Sequence, residues 1–116
     1  MLTVEATGET FTKAVGGTHD IVLCTEVLEH LMHPERALDN LMSLRPSRAI
    51  ALTVPQGRAD TAGQHINFWS PESWQAFIDR NAKGWRVICG LCTSPSSPGG
   101  VDNLAILLPQ QMRGQE

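Results

Sequence analysis

Three side chains able to bind a metal or move a proton fall close together in the run His19-Asp-Ile-Val-Leu-Cys-Thr-Glu-Val-Leu-Glu-His-Leu31: Glu26, Glu29 and His30. Two carboxylates and an imidazole suit a divalent cation such as Mg²⁺ or Mn²⁺, since carboxylate oxygens prefer hard ions. At spacings i, i+3 and i+4 the three share one face of a helix. His65, in a long polar loop, is a candidate fourth ligand. A plainer reading stands beside this one. The glutamates also favour the positive end of a helix, and His30 also serves as a hydrogen-bonded structural residue. The spacing is necessary for a metal site but does not suffice for one.

The elements that must position these groups are legible from the pattern. Asp20 to Thr25 is a continuous apolar run, the mark of a strand covered on both faces. It places Glu26, Glu29 and His30 just past the strand's carboxyl end, where open α/β sheets bind ligands. Pro34 fits a first helical turn, and Ala37, Leu38, Leu41, Met42 and Leu44 follow at helical spacing. Arg48 to Val54 is a second buried strand, stopped by Pro55. Gln56 to Phe68 is a loop long enough to be functional. Ser70 is an N-cap candidate with Pro71 at the first helical position, and Trp74, Phe77 and Ile78 give the next helix an apolar face. Gly84 closes it. Trp85 to Leu91 and Asn103 to Leu108 are the third and fourth strands, and Leu2 to Ala6 is a further short strand candidate. The order predicts an α/β sheet, parallel strands with crossover helices and a closing antiparallel hairpin, in a single domain spanning residues 1–116.

Composition narrows the function classes. Apolar residues make up 41% and charged residues 18%, ordinary for a soluble domain. A formal charge of −3 gives no basic footprint, which argues against a nucleic-acid or membrane partner. No apolar run is long enough to span a bilayer, and Met1 to Thr10 does not read as a signal peptide, so a cytoplasmic location is expected. Cys24, Cys89 and Cys92 form no disulfide framework. Cys89-Gly-Leu-Cys92 lacks the second pair that a structural zinc needs, and reads as reduced thiols. His33 is expected to face solvent, His19 to precede the strand, and Trp69 and Trp74 to pack in the core.

Asp20-Ile-Val-Leu-Cys-Thr-Glu-Val-Leu-Glu-His-Leu31 with Pro34, then His65-Ile-Asn-Phe-Trp-Ser-Pro-Glu-Ser-Trp74 and Gly84-Trp-Arg-Val-Ile88, resemble in order and spacing the fourth strand onward of class I S-adenosylmethionine-dependent methyltransferases. The Glu-x-x-Glu-His set resembles a metal-dependent subset, the small-RNA 2′-O-methyltransferases and ubiquinone-pathway O-methyltransferases. In those, such residues bind a metal near the acceptor hydroxyl. The resemblance implies a partial Rossmann-like sheet and S-adenosylmethionine as methyl donor, with Cys24, Thr25 and Glu26 nearest it. It also implies O-methyl transfer at Glu26, Glu29, His30 and His65. The family's glycine-rich cofactor turn has no counterpart: neither Thr7-Gly-Glu9 nor Gly16-Gly17 fits it. The chain alone is therefore expected to bind the cofactor weakly. A small-molecule acceptor is expected rather than nucleic acid, with a homodimer or another partner completing the sheet. The competing expectation is a non-catalytic methyltransferase-like interaction module.

Overall fold

The structure is a computed structural model that describes residues 19–58, 60–94 and 99–110; the strand expected at Leu2 to Ala6 lies outside them. Four strands, β1 (Ile21–Thr25), β2 (Ala49–Pro55), β3 (Trp85–Thr93) and β4 (Val101–Pro109), form one sheet in the order β1-β2-β4-β3. β1 and β2 are parallel, while β4 runs antiparallel to both β2 and β3. β2 and β3 therefore point the same way, with β4 threaded between them. The predicted α/β sheet with a terminal antiparallel hairpin is present. Among the described residues no helix is long and apolar enough to cross a membrane.

The two helices form where their sequences start them. α1 (Pro34–Ser43) carries Pro34 in its first turn and buries Ala37, Leu38 and Leu41. α2 (Pro71–Asn81) is capped by Ser70, whose Oγ accepts from the Ser73 amide at 3.1 Å. Such a cap is worth about 1 kcal/mol. Trp74 and Ile78 of α2 join Leu38 and Leu41 of α1 over Ile50, Leu52, Val54 and Leu107 of the sheet. Trp74 also meets Trp69 and Phe77 in an aromatic cluster, with ring centroids 5.3 Å and 6.0 Å away.

Two expectations need correcting. β1 is not covered on both faces. The register aligns Leu23, Ala51, Ile106 and Ile88 in one row across the sheet. That row lies on the face away from the helices, with Leu23 59% and Ile88 54% exposed. An unbroken apolar run hides the two-residue alternation that separates an inner from an outer face. Nor does an α-helix leave β1. Glu26 takes a left-handed conformation (φ 58°), and only a short 3₁₀ turn, Leu28–His30, follows. The i, i+3, i+4 face assumed for Glu26, Glu29 and His30 therefore does not exist. A residue in the left-handed region turns the chain sharply and breaks the helical register.

The loop after β2 returns to the sheet at a contact only glycine allows. Gln56 pairs with Trp69, and the Gly57 amide donates to the Trp69 carbonyl at 2.6 Å. A Cβ on Gly57 would sit 2.5 Å from the Trp69 nitrogen and 2.6 Å from the Phe68 carbonyl carbon, both backbone atoms that cannot swing aside. Gly57→Ala is therefore expected to cost about 1–3 kcal/mol, as overpacking does. Urea denaturation should show a lower midpoint with an unchanged slope.

Candidate metal centre

The site stands at the carboxyl end of the parallel strands and is built by two segments that the sequence separates widely. The 3₁₀ turn after β1 has carbonyls with no continuing helix to satisfy them. The loop after β2 supplies their donors. The Glu29 carbonyl accepts from the amides of Ile66 (2.8 Å) and Asn67 (3.1 Å). The Asn67 side-chain amide donates to the carbonyls of Leu28 (2.9 Å) and Leu31 (2.5 Å). Farther along the loop, Asn103 of β4 donates from its side-chain amide to the Trp69 carbonyl at 2.8 Å. This docking carries His65 across to the turn.

Glu29, His30 and His65 each contribute one ligand-type atom to a group whose members all lie within 4.8 Å of one another. Glu29 Oε2 is 3.7 Å from His30 Nε2 and 3.9 Å from His65 Nε2. The rings of the two histidines meet edge to face, centroids 4.6 Å apart. Both rings are held from behind. His65 Nδ1 lies 2.6 Å from Asp60 Oδ2, and His30 Nδ1 lies 3.3 Å from the Gln64 carbonyl oxygen. Both partners are acceptors, so each Nδ1 carries the proton and donates it. Each Nε2 then presents a lone pair towards the Glu29 carboxylate. This is the arrangement by which outer carboxylates and carbonyls orient metal-binding imidazoles.

Glu29 is 1% exposed, and its side-chain oxygens have no donor other than the neighbouring Glu26 carboxyl. Three ligand-type side chains thus converge on one buried spot. A buried carboxyl crowded against a second carboxyl costs free energy that a bound cation would recover. The residues fit a divalent cation on this ground.

Of the four expected ligands, Glu29, His30 and His65 come together, and Glu26 stands beside them outside the group. Its amide donates to the Thr53 carbonyl at 2.9 Å, which turns the residue towards β4. Burial, then hydrogen bonding with Asp102 and repulsion from it and from Glu29, push the Glu26 carboxyl up to about 9. Burial likewise raises the Glu29 carboxyl, against the opposing pull of a backbone hydrogen bond, a hydrogen bond with Glu26 and the two histidines. Cys24 is buried, and desolvation followed by the nearby Glu29 pushes its thiol up to about 12, so it stays neutral. Thr25 is the exposed residue of that strand end. Cys89 and Cys92 are free thiols.

Sequence reasoning missed Asp60, Asn67 and Asp102. Asp60 and Asn67 lie in a polar loop where no periodicity marks one residue over another. Asp102 opens β4, opposite Pro55 in the register, and only the sheet order brings it beside Glu26.

No protein-family profile and no curated protein matches the sequence. Solved structures that resemble the fold include the crystal structure of the small RNA methyltransferase HEN1, at 16% identity and a TM-score of 0.63, covering 84% of this chain and 14% of that one. They also include the Pnkp1/Rnl/Hen1 RNA repair complex, at 18% identity and a TM-score of 0.58, covering 76% of this chain and 22% of that one. The fold is methyltransferase-like. The chain spans only a small part of the length of either protein. These likenesses overturn the expectation of a small-molecule acceptor with nucleic acid disfavoured, because both neighbours are RNA-directed by name.

The carboxyl cluster fixes a pH dependence. A folded-state value above the ordinary 4.5 means that the folded chain keeps a proton which the unfolded chain sheds. Stability is then lost as pH rises from the unfolded value towards about 9. Without metal, the protein should melt at a lower temperature at about pH 8 than at about pH 5. Glu26→Gln should shrink that difference, and an unchanged difference would remove Glu26 as its source.

Proposed function

We propose that this chain forms the acceptor side of a metal-dependent methyltransferase acting on an RNA hydroxyl. The observation that carries this reading is the convergence of His30 Nε2, His65 Nε2 and the buried Glu29 carboxyl group at the carboxyl edge of the sheet. The RNA substrate class rests on the two fold neighbours, whose names place them in RNA methylation and RNA repair.

A divalent cation supplies the polarisation that turns a hydroxyl into a nucleophile near neutral pH. Glu29, His30 and His65 would hold it, with Glu26 as a fourth donor once the cation's charge offsets the repulsion that keeps its proton in place. Asp60 and the Gln64 carbonyl engage Nδ1 of the two rings, which leaves both imidazoles directing Nε2 to the site. S-Adenosylmethionine would supply the methyl group, with Thr25 and Glu26 lining its approach from the end of β1. Among the described residues no glycine-rich turn joins a strand to a helix. The chain's own contribution to rate is placement: it holds the acceptor oxygen at a fixed position for in-line attack.

Thermal melting with Mn²⁺ tests the centre. Millimolar Mn²⁺ should raise the melting temperature, because it binds only the folded arrangement. Glu29→Gln should abolish the shift. Asp60→Asn should leave the fold intact and weaken Mn²⁺ affinity about 10–100-fold, the usual cost of losing an outer partner of a ligating histidine. Mn²⁺ should also strengthen binding of an oligoribonucleotide with free terminal ribose hydroxyls over one ending in a 2′,3′-dideoxy sugar. Absence of any Mn²⁺ shift would sink the reading.

A further inference from the structure

At the end of the sheet opposite the metal centre the surface is strongly basic. Two adjoining grooves, of about 490 Å³ and about 500 Å³, open there and share Arg45 and Trp85 as lining residues. Arg80 and Lys83 line the first, and Arg48 the second. Among the described residues, none of these four cations takes part in an ion pair; Arg58, bound to Glu72, is the one arginine that does. The opposing charge is small. Asp39 lines the first groove, Asp20 accepts from Ser47 of the second at 2.8 Å, and the carboxyl ends of α1 and α2, which both finish here, amount to about −0.5 each. Four cations exceed that sum, so the grooves keep an excess of positive charge although the whole chain carries −3.

Arg45 supplies an independent observation. It follows the Leu44 C-cap of α1 in the left-handed conformation (φ 50°), the position that glycine fills most cheaply. The chain holds an arginine there at a conformational cost, and that residue is one of the two common to both grooves. A backbone outlier of this kind points from strain to function. Trp85, half-buried between the cations, adds an aromatic ring to the wall.

We infer that these grooves bind the sugar–phosphate backbone of single-stranded RNA, with Trp85 as a stacking surface. Cations tracking a backbone beside an aromatic ring are the combination by which proteins hold single strands without reading sequence. The RNA class rests on the function proposed above; the groove itself does not depend on the metal centre.

The test is fluorescence anisotropy with a labelled oligouridylate of about 12 nucleotides, within the range of single-strand site sizes. It is run in EDTA so that the metal centre is silent. The native chain should bind, with log affinity falling linearly against log salt. Arg48→Glu combined with Lys83→Glu should weaken binding at least about tenfold and flatten the salt slope by about 0.7 for each phosphate that is no longer neutralised. Arg45→Gly separates binding from folding, because it should raise the melting temperature while weakening RNA binding. Native-like affinity in the charge-reversed variant would overturn the inference. So would the absence of RNA binding in EDTA, or binding to phosphatidylserine vesicles in place of RNA. Loss of the Mn²⁺ shift with groove binding intact would count against the metal centre alone.

Discussion

Everything at the candidate metal centre depends on how the loop after β2 is tied to the turn after β1. The Glu29 backbone carbonyl receives two loop amides, and Asn67 spans the carbonyls of Leu28 and Leu31. The residue that anchors the loop is thus the residue whose side chain faces His65. Displacing the loop would remove a ligand and expose the turn's carbonyls in one event. Each bond contributes about 1 kcal/mol net, yet leaving such buried groups unmade costs more than making them gains. Gly57 and Asn103 both donate to the Trp69 carbonyl, which closes the two ends of the same loop on each other and ties them to β4. Loop closure is therefore a property of the fold, in place before any ligand arrives.

That preorganisation is offset by an electrostatic cost. Glu26, Glu29 and Asp102 crowd three carboxyls into a space where several oxygens have no donor. Apolar side chains of similar size would make a more stable protein, since buried unpaired charge is rarely repaid. Glu26 relieves part of the cost by holding a proton, and Glu29 by lying near two imidazoles. Neither device fills the gap between the three lone-pair donors. Strain that a fold leaves uncompensated at one place is better explained by a ligand than by packing.

The sequence made the elements legible and left much of the site hidden. Pro34, Ser70-Pro71 and Gly84 bound their helices where expected, because caps and prolines act locally. The placement of β4 between β2 and β3 was not readable, because strand order depends on contacts between distant residues. His65 was legible as a candidate through its loop, whereas its partner Asp60 was not. The helical face assumed for Glu26, Glu29 and His30 failed at one residue: a left-handed Glu26 redirects the chain, and nothing in its type announces that. Glu29 and His30 still converge with His65, by tertiary docking in place of helical periodicity.

The two charged ends of the sheet bear on which part of an RNA each could hold. Acidic groups gather at the carboxyl end, and unpaired cations at the amino end where Arg45, Arg48 and Lys83 lie. β4 has 9 residues, so the ends stand roughly 25–30 Å apart at about 3.3 Å per residue. A phosphate at the carboxyl end would meet Glu26, Glu29 and Asp102, and any bound cation would have to offset all three. A ribose hydroxyl carries no such charge. On the proposed reading, the acidic end favours a strand terminus, which offers hydroxyls without a further phosphate, and the basic end favours the continuous backbone behind it. Segregating the charges lets one short sheet orient a strand by electrostatics alone, with polarity set before any base is contacted.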